Sequence, residues 1–216
     1  MQIDRTEVLR YLGHRGGALD ARVQAQLDQA ETLISDAAKP RCTHAVYALL
    51  RGETLTVAGT VLTLDGADIR KHLEGSETCI LMAATLGAGV DAEIRRAQAT
   101  DMGLAAILDA AATAAIEWVC DDYQMRLAEQ YGYLTDRFSP GYGDLPLSLQ
   151  GPFCAVLDTA RRIGLQATER SLLVPGKSVT AIIGISTRPA KRRSGGCDTC
   201  ALRETCAYRK AGTFCD

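Results

Sequence analysis

The chain has 216 residues, 47% of them hydrophobic and 23% charged, with a formal net charge of −2. That length fits one domain with an extension, or at most two small domains, and supplies apolar residues for a core that needs no covalent staples. The near-neutral balance gives no global field towards nucleic acid or an anionic membrane, and the basic cluster Lys191-Arg192-Arg193 reads as a solvated linker.

The first residues lack the basic-then-apolar layout of a signal peptide. Ile3, Val8, Leu9 and Leu12 fit a short amphipathic helix that ends near Gly13. Leu19, Val23, Leu27, Ala30, Leu33 and Ile34 predict a second helix that stops before Pro40. Residues 45–64 change to alternating and β-branched character, and Ala58-Gly59 is a turn between two short strands. A short helix opens at Asp65-Gly66 and runs to Leu73. The apolar run 79–84 suggests a buried strand, although periodicity alone leaves helix open.

A helix over about 90–99 comes next, and Asp101 then caps the most regular helix of the chain. Leu104, Ile107, Leu108, Ala111, Ala115, Trp118 and Val119 repeat at helical spacing, and Gly132 ends it. Its alanine-rich part is the most apolar stretch, but Asp109 and Glu117 interrupt it, so no membrane span is expected. A cytoplasmic location is the expectation. Cys42, Cys79, Cys120 and Cys154 then read as small core residues, and His14, His44 and His72, without paired spacing, as surface residues.

Residues 133–146 hold Pro140, Gly141, Gly143 and Pro146 and form a loop. Leu149, Phe153, Leu157 and Ile163 support a helix closed by Gly164. Residues 172–174 and 179–185 are two strands about the turn Pro175-Gly176. Helices and strands that do not alternate as βαβ units indicate α+β architecture: a mostly antiparallel sheet flanked by helices. A domain over 1–188, its N-terminal helices within 1–40, is followed by a linker and Cys-rich tail over 189–216.

Arg137-x-x-x-Gly141-Tyr142 is followed, one helix later, by Thr168-Glu169 and Pro175-Gly176-Lys-Ser178-Val179. This ordered pair of segments resembles the reactivation domain of cobalamin-dependent methionine synthase over roughly fifty residues. Residues 84–87 and the Asp101 helix fall in the expected order upstream. The resemblance implies the activation-domain fold and a site for S-adenosylmethionine in which Arg137, Gly141 and Tyr142 take part, with Glu117 as a carboxylate from the long helix. Those residue types suit the ligand. Arginine grips a carboxylate through two parallel charge-assisted bonds, glycine lets the backbone approach, and a tyrosine ring faces a sulfonium or an adenine. Taken one at a time the same residues have plainer readings. Arg137 could pair with Asp136 or Asp144, Tyr142 could pack on the core, Glu117 could be an exposed helix residue, and Glu169 and Ser178 could fix a turn.

The resemblance also implies a role in reductive remethylation of a corrinoid. The metal of a partner's cobalamin would be the methyl acceptor, so no acid, base or nucleophile of this chain is required. No Asp-x-His-x-x-Gly segment is present, so the corrinoid is expected on a separate methionine synthase or methyltransferase subunit. An electron donor such as a flavodoxin or ferredoxin would complete the system. No nucleic acid or membrane partner is implied.

The tail reads Cys197-x₂-Cys200-x₅-Cys206-x₈-Cys215. Four thiolates at these spacings could close a zinc site or hold an iron–sulfur cluster, and disulfides or free thiols are the plainer alternatives. A second function therefore stays open: a metal-binding or iron–sulfur electron-transfer module on the same fold.

Overall fold

The computed structural model describes residues 1–186, so the four tail cysteines, the basic cluster and the expected boundary at 188 lie outside the described residues. Two capped helices open the chain. Asp4 accepts from the backbone N–H of Thr6 at the start of α1 (Arg5–Tyr11), and Asp20 from that of Arg22 at the start of α2 (Ala21–Ala37). Then come β1 (Arg41–Arg51), β2 (Leu55–Val57), β3 (Thr63–Leu64), α3 (Ala67–His72), β4 (Ser76–Thr85), α4 (Ala88–Gln98) and the 30-residue α5 (Met102–Tyr131). The remainder is β5 (Tyr133–Leu134), a 3₁₀ turn (Leu147–Leu149), α6 (Gln150–Leu157), α7 (Thr159–Ile163), β6 (Gln166–Ala167), β7 (Leu173–Val174) and β8 (Ser178–Ser186).

Six strands form one antiparallel sheet in the order β3-β2-β1-β4-β8-β5, and β6 and β7 make a separate hairpin. β4 is its centre and has both faces covered. Ile80, Met82 and Ala84 point into a core shared with α1, α2, α4 and α5, whereas Cys79, Leu81 and Ala83 point into a second core with α3, α6 and α7. Burial on two faces removes the apolar–polar alternation, so residues 79–84 form an unbroken apolar run.

α5 is the spine of the first layer. Asp101 caps it by accepting from the N–H groups of Gly103 and Leu104, and Gly132 ends it at φ 82°. Among the described residues it is the one helix long and apolar enough to cross a membrane, and most of its apolar window is buried inside the molecule.

Three expectations need correction. The helix expected through Ile163 is broken at Asp158, which takes the left-handed conformation and separates α6 from α7. Residues 133–134 are a short strand rather than loop, because they pair with Ile185 and Ser186 at the end of β8. Two of the three histidines, His44 and His72, are not surface groups. His72 is 8% exposed beneath the 135–138 segment, and His44 is half-buried between the hydroxyls of Tyr123 and Tyr131. The scattered cysteines behave as read: Cys79, Cys120 and Cys154 are buried and Cys42 partly so.

Candidate functional site

A cleft of about 1310 Å³ lies along the open edge of β8. Its walls are the C-terminal half of α5, the end of α3, β5 with the loop that follows, the first residue of α6, and β7. Arg137, Tyr142 and Glu117, three of the residues singled out from the sequence, line it.

Arg137 is held by one face of α5. Its Nη2 donates to Glu117 Oε2 at 2.9 Å, and its Nη1 to Asp121 Oδ1 at 2.7 Å and to Gln124 Oε1 at 3.0 Å. Positions 117, 121 and 124 follow the i, i+4, i+7 spacing that stacks side chains on one helix face. Neither acid nearest in sequence holds the guanidinium. Asp144 instead accepts from the N–H groups of Ala67 (2.6 Å) and Asp68 (3.2 Å), which caps α3 from 77 residues away. It does so because Gly66, at the N-cap, has no side chain to offer.

Burial works to lower the pKa of Arg137, but the Asp121 hydrogen bond and the charges around it prevail and raise it. The guanidinium is thus a fixed cation set against two partly exposed carboxylates.

The loop geometry explains the prolines and glycines. Phe138 exchanges both backbone bonds with Ile182 of β8, at 3.0 and 2.8 Å, which anchors the segment beside Arg137. The chain then turns: Tyr142 N donates to Ser139 O, and Gly141 N to Leu145 O. Gly141 sits at φ 93°, where a side chain would be strained, and a Cβ there would lie 3.1 Å from Leu147 Cδ1. The turn leaves Tyr142 61% exposed on the rim of the cleft, edge-on to Phe138. Phe138 in turn packs on the ring of His72, whose Nε2 lies 2.8 Å from Asp136 O and 2.9 Å from Thr135 Oγ1.

The second sequence motif is mainly a brace. Thr168 closes a tight turn with Ser171 and Leu172, and Glu169 is exposed on it. Gly176 N donates to Asp91 Oδ2, and Lys177 reaches Asp109 and Thr113, so the turn before β8 is tied to α4 and α5. Ser178 Oγ lies 2.7 Å from Pro175 O and from Thr85 Oγ1, while Ser178 and Val179 themselves line the cleft.

Sequence reading missed Asp121, Gln124, His72, Gln150 and Thr180 as cleft residues. The first two share one helix face with Glu117, since 117, 121 and 124 follow the i, i+4, i+7 spacing. The other three depend on long-range packing. Among the described residues no group of three or more His, Cys, Asp or Glu side chains could hold a metal.

Among solved structures, a crystal structure of the MetH reactivation domain bound to AdoHcy shares this fold. The TM-score is 0.53 at 14% sequence identity, covering 88% of this chain and 69% of that one. The chain is therefore an α+β protein with the architecture of that reactivation domain. No protein-family profile matches it, and no curated protein matches it in sequence.

Proposed function

We propose that the cleft binds S-adenosylmethionine and that the chain presents its methyl group to a corrinoid carried by a partner protein. The observation that carries this reading is Arg137 fixed in the cleft between Glu117 and Asp121, on a fold shared with a domain crystallised with AdoHcy.

The residues fit the ligand. Its amino-acid end is a zwitterion, and the cleft sets a guanidinium beside two carboxylates, one sign for each end of the zwitterion. Tyr142 offers an exposed ring face at the rim, where a sulfonium or a base could lie against it. When bound, the ligand supplies an electrophilic methyl group, and the reduced corrinoid of a methionine synthase or another methyltransferase subunit is its acceptor. A flavodoxin or ferredoxin is the class of carrier suited to supply the reducing electron. The contribution of this chain is to bind and orient, a proximity effect that asks no proton transfer of its side chains.

Titration calorimetry with S-adenosylmethionine and S-adenosylhomocysteine tests the reading. Binding by the wild type, weakened at least tenfold in Arg137→Ala, supports it. A wild-type chain that binds neither compound overturns it.

A further inference from the structure

The floor of the cleft carries a polar pair that the Arg137 cluster does not use. Gln150, the first residue of α6, is 6% exposed, and Thr180 of β8 is 1% exposed; both line the cleft. Thr180 Oγ1 donates to Gln150 Oε1 at 2.6 Å, which fixes the carboxamide with its nitrogen on the other side. That Nε2 has no acceptor among the described residues, yet it is not sealed from solvent as the hydroxyl of Ser76 is. A side chain more than nine-tenths buried thus keeps an unused N–H₂ on the cleft. Water can serve this group in the open cleft, and a ligand that covers the floor must bring an acceptor to replace it.

The backbone beside it is open in the same direction. Ile182 exchanges both of its bonds with Phe138, and Lys177 O accepts from Leu86 N next to β4. In an antiparallel ladder successive residues face opposite sides, so Thr180 and Ser178 turn N–H and C=O away from β4, as Ile182 does. The pairing ends at Phe138, and among the described residues no strand runs beside Ser178 and Thr180. The floor therefore offers two donors (Gln150 Nε2 and Thr180 N–H) and one acceptor (Thr180 C=O), with the apolar side chains of Leu173 and Val179 alongside.

The geometry points to Gln150 and Thr180 as the reader of a purine base, with ring nitrogens accepting from the two donors and a 6-amino group donating to the Thr180 carbonyl. This rests on the reading of the cleft as an S-adenosylmethionine site and adds which end of the ligand lies where. The amino acid meets Arg137 on α5, and the base meets β8. A 6-oxo base would set its oxygen against the Thr180 carbonyl, so adenine is selected over hypoxanthine.

The test compares S-adenosylhomocysteine with its 1-deaza, 3-deaza and 7-deaza analogues and with S-inosylhomocysteine, on wild type and Gln150→Leu, by calorimetry. Expected on the wild type is a loss of about tenfold for the inosyl compound and for at least one deaza analogue. Gln150→Leu should bind the parent about tenfold more weakly and lose the penalty for the analogue without the nitrogen that Gln150 serves, while any penalty at the nitrogen served by Thr180 N–H stays. The comparison on wild type alone keeps the test valid if the variant folds poorly. Equal binding of all five compounds by the wild type overturns the assignment, as does a Gln150→Leu variant that keeps every deaza penalty of the wild type. Either result leaves the cleft reading standing if Arg137→Ala still weakens the parent. A wild type that binds none of the five removes both.

Discussion

Arg137 Nη1 lies 2.7 Å from Asp121 Oδ1, although the two residues belong to different elements of the cleft wall. The bond joins the loop after β5 to the C-terminal half of α5, so the cation that would grip a ligand is positioned before any ligand arrives. A guanidinium reaches Glu117, Asp121 and Gln124 together because its donors spread in a planar fork. An ammonium is a point charge and cannot span all three. Arg137→Lys is therefore expected to behave like Arg137→Ala in S-adenosylmethionine binding, both at least tenfold weaker than wild type by calorimetry. Arg137→Lys keeps a charge and most of the buried stem, so it should lower the melting temperature less than Arg137→Ala, which also loses packing.

Asp144 should matter to stability more than its exposed position suggests. It satisfies the first N–H groups of α3, a helix of six residues whose own N-cap is glycine. Asp144→Ala should cost about 1 kcal/mol in denaturant unfolding, within the range for a lost N-cap. Asp144→Asn keeps an acceptor and should recover most of it.

Much of the fold was legible in the sequence because its signals are local. Asp101 and Gly132 bracket α5, and both are short-range chemistry of capping and backbone conformation. The unbroken run 79–84 suggested a buried strand with helix left open, and its two covered faces explain why the run shows no alternation. The break at Asp158 gave no such signal, since no glycine or proline marks it and a non-glycine residue there takes φ 50°. In the site, Arg137 and Tyr142 were visible through their motif. Their actual partners were not, because Asp144 is close in sequence but serves α3, whereas Asp121 is remote and serves Arg137. Gln150 and Thr180 were hidden for the same reason: 30 residues separate them, and neither belongs to a motif.

The buried thiols predict a loss of stability at high pH. Burial pushes Cys79 and Cys120 up to about 12 and Cys42 to about 11, against an ordinary value of 9.0. The folded state keeps these protons while the unfolded chain gives them up. The stability they contribute is fully present below pH 9 and is lost as pH rises from about 9 towards 12. Urea denaturation at pH 8, 9 and 10 should show a falling midpoint. Iodoacetamide labelling followed by peptide mapping gives the kinetic counterpart. At pH 8 the peptides with Cys79 and Cys120 should stay unmodified in the native protein and react fully after unfolding.

Ser76 offers a case in which removing a polar atom should stabilise the protein. Its Oγ is buried at the start of β4 without a hydrogen-bond partner among the described residues. It also crowds β8, since a Cβ built on Gly184 would lie 2.5 Å from it. The backbone of Ser76 is well served: its N–H donates to Leu73 O, and its carbonyl accepts from Arg51 Nη2 at 2.8 Å. Neither bond involves the hydroxyl. Ser76→Ala keeps both and removes a desolvated oxygen whose burial costs about 1–3 kcal/mol when it is unpaired. A rise of about 1 kcal/mol in unfolding free energy is expected. Gly184→Ala alone should destabilise by a similar or larger amount, because its new methyl would meet Ser76 Oγ, Leu73 and Thr135. Combined with Ser76→Ala, the penalty of Gly184→Ala should shrink, as expected for two substitutions that share one contact. If the two effects simply add in a double-mutant cycle, the hydroxyl is not what holds position 184 to glycine.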